Sequence, residues 1–313
     1  MASSFSAFPF ARYGTPLALL VVVAGFALVS PGSFGQLSNL VNITQQMALL
    51  SIVALGATAV MTTGEFDLSV SAVASFAGVS VVSQLAMGVP LPFAIVGTLI
   101  FVVAVGAISG VLVARFAVPS FIATLAVGTI LGGITFWLSG GATLFSGIPP
   151  SFRDLGRGTV LGIPVLTLWL VLLAVLLALL LEKMELGTRL YAIGGNKEAA
   201  RLAGVPVARD TTIAFMLGAL FAGIAGMLLA ARLGSAHPTG GGGFLLQSYA
   251  AVFLGMTAFR DGEANVAGTL VGAAIIAVLA NGLTILGVPT FLQDVLTGTI
   301  IIAAVLVRRV TSE

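Results

Sequence analysis

Cysteine is absent from the 313 residues and histidine occurs once, as His237. No disulfide can form, which removes the small secreted scaffolds held by cross-links. A metal centre needs several ligands, and a lone histidine beside Pro238 and the glycines 240–243 reads as part of a loop. Charge is scarce too: 8% of the residues are charged, against roughly a quarter in a typical soluble domain. With 58% hydrophobic residues, a soluble globule would expose apolar surface on every face and aggregate. Soluble enzymes and disordered chains are therefore excluded. An enzyme of the membrane interior would need a histidine or acidic cluster, and none is evident.

What is present is apolar sequence in long runs, with a mean hydropathy of +1.17. The chain reads as an all-α integral membrane protein, a polytopic helical bundle forming one transmembrane domain over 1–313. A spanning helix takes about 20 apolar residues. Runs between breaks of Gly, Pro or charge fall near 16–30, 42–63, 71–87, 92–114, 120–138, 159–181, 212–231, 245–258, 266–286 and 290–307. About ten transmembrane helices are expected. The short runs at 71–87 and 245–258 are candidates for broken or re-entrant helices. The first run follows a single arginine, Arg12, without a clear small-residue cleavage site, and reads as an uncleaved span. The net charge of +2 is placed by topology and gives no reason to expect nucleic acid.

Lysine and arginine set orientation. The stretch 182–210 holds Lys183, Arg189, Lys197, Arg201 and Arg209, and Arg308 and Arg309 close the last run. Both are expected to be cytoplasmic, with an even number of spans between them. Arg12, Arg115 and Arg260 fall on the same side, so both termini are cytoplasmic. Arg153, Arg157 and Arg232 fall outside and break the rule mildly, with Asp154 a partial offset. Glycine pairs four apart (Gly106/Gly110, Gly128/Gly132, Gly268/Gly272) are expected at close helix contacts.

The stretch 182–210 also concentrates nine of the chain's 13 basic and 11 acidic residues. At its centre Asn196 suits an N-cap and Glu198 the positive first turn. Lys197, Ala199, Ala200, Arg201, Leu202 and Ala203 continue a helix, Gly204 fits a left-handed stop, and Pro206 prevents continuation. Two turns span roughly 12 Å, too short to be stable alone. The helix must dock, either on lipid headgroups or in a protein groove. Its small alanine face, without a Trp, Phe and Leu stripe, favours the groove.

Four ordered segments carry a resemblance. Residues 186–205 (LGTRLYAIGGNKEAARLAGV) resemble the cytoplasmic loop of ribose-type sugar ABC transporter permeases. Residues 64–71 (GEFDLSVS) are similar to that family's G-x-x-D-L-S-V-G element, with Ser71 in place of Gly. Residues 118–125 (VPSFIATL) resemble its Pro-Ser-Phe-Ile segment. Residues 282–288 followed by Phe291-Leu-Gln resemble its C-terminal run. Met256 and Phe259-Arg260-Asp261 depart from the family pattern, which weakens any second ATPase contact there. The resemblance implies a non-enzymatic permease subunit of a bacterial inner-membrane importer, carrying a pentose or hexose by alternating access. It implies a second permease copy (homodimer or heterodimer), ABC ATPase subunits, and a periplasmic or lipoprotein sugar-binding protein. Asn196 to Gly204, all nine residues, would be the coupling helix seated in the ATPase. ATP and Mg would be bound by that partner. Consistent with this, a phosphate-cradling loop needs Gly-Lys before Ser or Thr, and neither Lys183 nor Lys197 follows a glycine; this chain needs no cofactor of its own. The alternatives are an ABC permease for a branched-chain amino acid, a nucleoside or a sugar-like signal, and an ion-coupled secondary transporter.

Polar residues within apolar surroundings are the translocation-path candidates: Glu65, Asp67, Ser69, Ser120, Thr124, Gln293 and Asp294. Each has a second reading. Asp67 can cap the following span, Ser120 and Thr124 can satisfy their own helix backbone, and Gln293 and Asp294 can sit at the outer interface. Gly64-Glu65-Phe66-Asp67 also echoes Gly262-Glu263-Ala264-Asn265, a possible internal repeat.

Overall fold

The structure is a computed structural model that describes residues 10–259 and 262–311. Arg260 and Asp261 lie outside the described residues, as do the side chains of Arg12, Arg308 and Arg309. In chain order the helices are α1 (Phe10–Val29), α2 (Pro31–Phe34), α3 (Leu37–Met61), α4 (Val70–Ala86), α5 (Leu91–Ala114), α6 (Ser120–Ser139) and α7 (Pro150–Arg157). A hairpin of β1 (Thr159–Val160) and β2 (Ile163–Pro164) follows, then α8 (Val165–Lys183), α9 (Glu185–Gly195), α10 (Lys197–Leu202), α11 (Val207–Leu233), α12 (Phe244–Gly255), α13 (Val266–Ile285) and α14 (Thr290–Thr311).

Each apolar run of the sequence coincides with a helix, with one revision. The run 159–181 does not begin as helix. Leu161 and Gly162 take φ of +52° and +80° in a two-residue loop, with Val160 paired to Ile163, as a tight hairpin turn requires. The helix starts only after Pro164. Among the described residues, six helices (α3, α5, α6, α8, α11 and α13) are long and apolar enough to cross a bilayer. Val70–Ala86 and Phe244–Gly255 are apolar but shorter, as is Gly14–Val29 within α1.

Helix α11 is the centre of the bundle, packed on α3, α4 and α5. Glycines set these contacts. A Cβ on Gly56 of α3 would stand 2.9 Å from the Gly218 carbonyl, and one on Gly106 of α5 would stand 2.6 Å from the Phe215 carbonyl. Gly226 of α11 lies directly against the Ala74 carbonyl of α4. In lipid, such backbone approach is a main source of helix association. Gly268 and Gly272 of α13 do the same against Gly255 and Ala251 of α12. Of the expected pairs, Gly128/Gly132 is the exception: Gly128 touches Ser69 loosely and Gly132 faces open space. A hydroxyl pair, Thr58 and Thr269 at 2.7 Å, links α3 to α13.

The outward faces of α5, α6 and α8 are apolar, with Phe93, Ile100, Ile122, Trp137, Val171 and Val175 exposed. On a soluble protein such a surface would aggregate; a multi-pass membrane protein turns it to lipid.

Candidate functional site

The charged stretch folds into a framed unit at one end of the bundle. Asn196 Oδ1 accepts from the Ala199 N–H at 2.9 Å and opens α10. At the other end Gly204 takes φ +84°. Its N–H donates to Arg201 O and the Val205 N–H donates to Ala200 O, both at 3.0 Å. This is the paired-bond stop that satisfies orphan carbonyls of the last turn. Lys197, Glu198, Ala199, Arg201, Leu202 and Ala203 are exposed, Leu202 at 80%. Ala200 departs from the sequence expectation of an outward alanine face. It is buried against Ile193, Val205 and Val207, because a six-residue helix needs an anchor on its own chain.

The frame is an ion-pair cluster that sequence reasoning misses. Asp210, fully buried in the first turn of α11, meets Arg189 Nε of α9 at 2.7 Å and Arg209 Nε at 3.0 Å. Arg189 also pairs with Glu185 at 2.7 Å. Acid at a helix N-terminus is favourable, but nothing in the spacing of Arg189 and Asp210 announces that they meet. Gly194 of α9 lies on the Thr62 carbonyl with no room for a side chain.

That carbonyl opens the second feature, the non-helical strap 62–69 between α3 and α4. Gly64 takes φ +79° and turns the chain away from α3. Backbone groups of the strap are then satisfied by side chains from two helices, as buried backbone must be. Ser120 Oγ of α6 accepts from the Phe66 N–H at 3.3 Å. Thr124 Oγ1 accepts from the Leu68 N–H at 3.0 Å and donates to Ser120 O at 2.7 Å. Tyr249 Oη of α12 accepts from the Asp67 N–H at 2.7 Å and donates to Asp67 O at 3.0 Å. Glu65 pairs with Lys197 of α10 at 3.3 Å.

Asp67 is fully buried and is not the N-cap of α4. Its Oδ1 accepts from Ser69 N–H (2.8 Å) and Ser69 Oγ–H (2.5 Å), a turn one step before the helix. Among the described residues its Oδ2 has no partner; it faces Gly218 of α11. The echo at 262–265 shares the glycine turn but not the cap: Gly262 also takes φ +79°, whereas Asn265 Oδ1 accepts from the Gly268 N–H at 2.7 Å and caps α13 directly.

Glu65, Asp67, Ser69, Ser120 and Thr124 are therefore gathered at one place. Gln293 and Asp294 are elsewhere: with Gln247, Thr290 and Thr297 they line a cavity of ≈ 230 Å³ between α12, α13 and α14. His237 Nδ1 is engaged by Thr239 Oγ1 at 2.9 Å within its loop. No group of three His, Cys, Asp or Glu fit to hold a metal occurs among the described residues. Tyr249 is the other residue that sequence reasoning misses; a tyrosine in a short apolar run is its only signal.

Comparison with known proteins adds an independent line. A family model described as branched-chain amino acid transport system, permease component, matches residues 39–305. The ribose import permease protein RbsC of Bacillus subtilis is 38% identical over 95% of this chain and 92% of its own length. RbsC of Escherichia coli K12 is 38% identical over 93% and 91%. The D-allose transport system permease protein AlsC of Escherichia coli K12 is 34% identical over 96% and 93%. No solved structure matches.

Proposed function

The chain belongs to the permease-component family of branched-chain amino acid type transport systems, and from that premise we propose that it is the membrane subunit of an ATP-binding cassette importer for a monosaccharide. The observation that carries the sugar reading is the near-full-length likeness to ribose and allose permease proteins. The chemistry of the interior agrees. A zwitterionic amino acid calls for opposed charges along its path. The buried polar side chains here are mostly serine and threonine hydroxyls, which suit an uncharged, hydroxyl-rich cargo. The family description keeps a branched-chain amino acid as the alternative.

In this reading all ten apolar helices cross the bacterial inner membrane, α1, α4, α12 and α14 joining the six long ones. The end bearing α9 and α10 faces the cytoplasm together with both termini. The exposed side of α10, with Leu202 at its centre, seats in an ATPase that binds ATP and Mg. A periplasmic or lipoprotein sugar-binding protein delivers cargo to the opposite end, and a second permease copy completes the path. Movement of α10 during the ATPase cycle then switches the side to which the path opens. Asp67 and its neighbours lie close to α10, and Gln293 and Asp294 near the delivery side.

The test is reconstitution with the cognate ATPase and sugar-binding protein. The ATPase co-purifies, and proteoliposomes accumulate radiolabelled ribose or allose only with ATP inside the catalytic compartment. Accumulation of leucine instead selects the alternative cargo. Uptake driven by an ion gradient, without an ATPase, overturns the reading.

A further inference from the structure

The strap 62–69 has features that packing alone does not require. It is irregular backbone inside a helical bundle, where unsatisfied groups are costly, yet it is held by single hydroxyls and not by helix. Its neighbours come from four elements. Ser120 and Thr124 hold it from α6, and Tyr249 holds it from α12. Lys197 and Gly194 touch it from the α9–α10 unit. Beside it stand three aromatic rings. Phe66 of the strap lies 5.8 Å from Tyr249 and 6.2 Å from Phe253, and those two lie 6.4 Å apart. Phe66 remains 38% exposed, so this cluster borders an open face of the chain and is not sealed in the core.

We propose that the strap is the gating element of this permease, that Phe66, Tyr249 and Phe253 form its aromatic plug, and that Tyr249 is the positioning residue that pins it. This rests on the permease reading. Displacement of α10 reaches the strap through two contacts of different kind, the Glu65–Lys197 ion pair and the backbone contact of Gly194 with Thr62. The strap can respond because hydroxyl bonds to Phe66, Asp67 and Leu68 N–H groups can exchange, whereas helix bonds would have to break cooperatively. Phe66 sits on the moving segment, while Tyr249 and Phe253 sit on α12, so a shift of the strap opens the plug. Tyr249 joins both halves. Its hydroxyl closes a two-bond clasp on Asp67, and its ring is part of the plug. Asp67 stabilises the same turn from inside through Ser69.

The absence of native cysteine supplies the test. A Thr63→Cys reporter in the strap, whose parent side chain is 4% exposed, is labelled with a maleimide in membranes holding the permease alone. Tyr249→Phe keeps the ring and removes the clasp; Thr124→Val removes the Leu68 anchor with little change of shape. Each is expected to raise the labelling rate at least fivefold. Thr98→Val, which removes the hydroxyl contact of Thr98 with Ser80 between α5 and α4, about 15 Å along α4 from the strap, leaves the rate within twofold. In the assembled importer, Tyr249→Phe is expected to raise the ATP hydrolysed per ribose moved (allose where that is the cargo) at least fivefold, with ATPase retention unchanged. Unchanged labelling in both strap variants overturns the proposal, as does equal labelling in Thr98→Val or a wild-type ratio of ATP to sugar. The labelling arm needs neither ATPase nor sugar, so it fails or succeeds independently of the permease reading.

Discussion

At the residue scale, two buried aspartates do different work, and the difference predicts different phenotypes. Asp67 uses one oxygen to hold the Ser69 turn and leaves the other unpartnered. Asparagine offers the same accepting oxygen, so Asp67→Asn is expected to keep uptake within about threefold of wild type if the turn is what matters. Loss of transport in a variant that is folded and inserted would assign the role to the charge itself. Asp210 is the buried partner of Arg189, whose side chain is 23% exposed and also pairs with Glu185. Removing the Asp210 charge leaves Arg189 with Glu185, so the cost falls below the about 3 kcal/mol or more of a fully buried pair but does not vanish. Asp210→Asn should therefore lower the thermal stability of the detergent-purified chain, read as loss of the monodisperse peak after heating, whereas Asp67→Asn should not. Positive charges at the opposite end also find explanation at this scale. Arg157 donates from Nε to Arg232 O at 2.5 Å and from Nη2 to Leu233 O at 2.6 Å, satisfying terminal carbonyls of α11, where a cation is favoured. Its position breaks the charge asymmetry of the loops because it caps a helix.

At the scale of the element, α10 divides what local chemistry encodes from what packing decides. Asn196 and Gly204 bound it because an N-cap acceptor and a left-handed stop are properties of those residues, legible in the sequence. Which face of α10 turns inward is set by Ile193 and Val207 on its neighbours, and no local pattern in six residues reveals it. The hairpin 159–164 was hidden for a related reason: hydropathy alone does not separate strand from helix, and only the Leu161-Gly162 turn and Pro164 mark the change. The strap follows the same rule. Gly64 and the acids announce a break, but its partners Ser120, Thr124 and Tyr249 come from remote helices. Because Ala200 turns inward, contact of α10 with a partner is tested at Leu202. Ala200→Trp would unseat α10 from its own chain and so cannot isolate the partner. Leu202→Glu leaves the fold alone and removes an exposed side chain whose burial in a groove is worth roughly 2 kcal/mol. Retention of the ATPase on the purified permease should fall at least tenfold, with insertion and monodispersity unchanged. Full retention would mean that α10 docks elsewhere.

At the scale of the whole molecule, surface chemistry separates the faces that meet lipid from those that do not. Helix α3 has 25 residues, a length of about 37 Å at 1.5 Å per residue. Centred on a hydrocarbon layer of about 30 Å, it places Asn42 and Gln46 roughly 4 and 10 Å inside that layer. Both are exposed on the single chain, and an amide turned to acyl chains at that depth is costly. On the proposed reading the N-terminal half of α3 therefore faces a water-filled path or a second copy. The exposed apolar residues of α5 and α8, such as Ile100 and Val175, fit lipid without cost. Thiol chemistry reads the distinction directly, because maleimide reacts with the thiolate and the thiolate needs water. In the cysteine-free chain, Asn42→Cys and Gln46→Cys should label with a water-soluble maleimide, or cross-link to a second copy under oxidation. Ile100→Cys and Val175→Cys should do neither. If the cysteines of α5 and α8 label as fast as those of α3, the lipid-facing assignment is wrong and the bundle meets its partner through the opposite side.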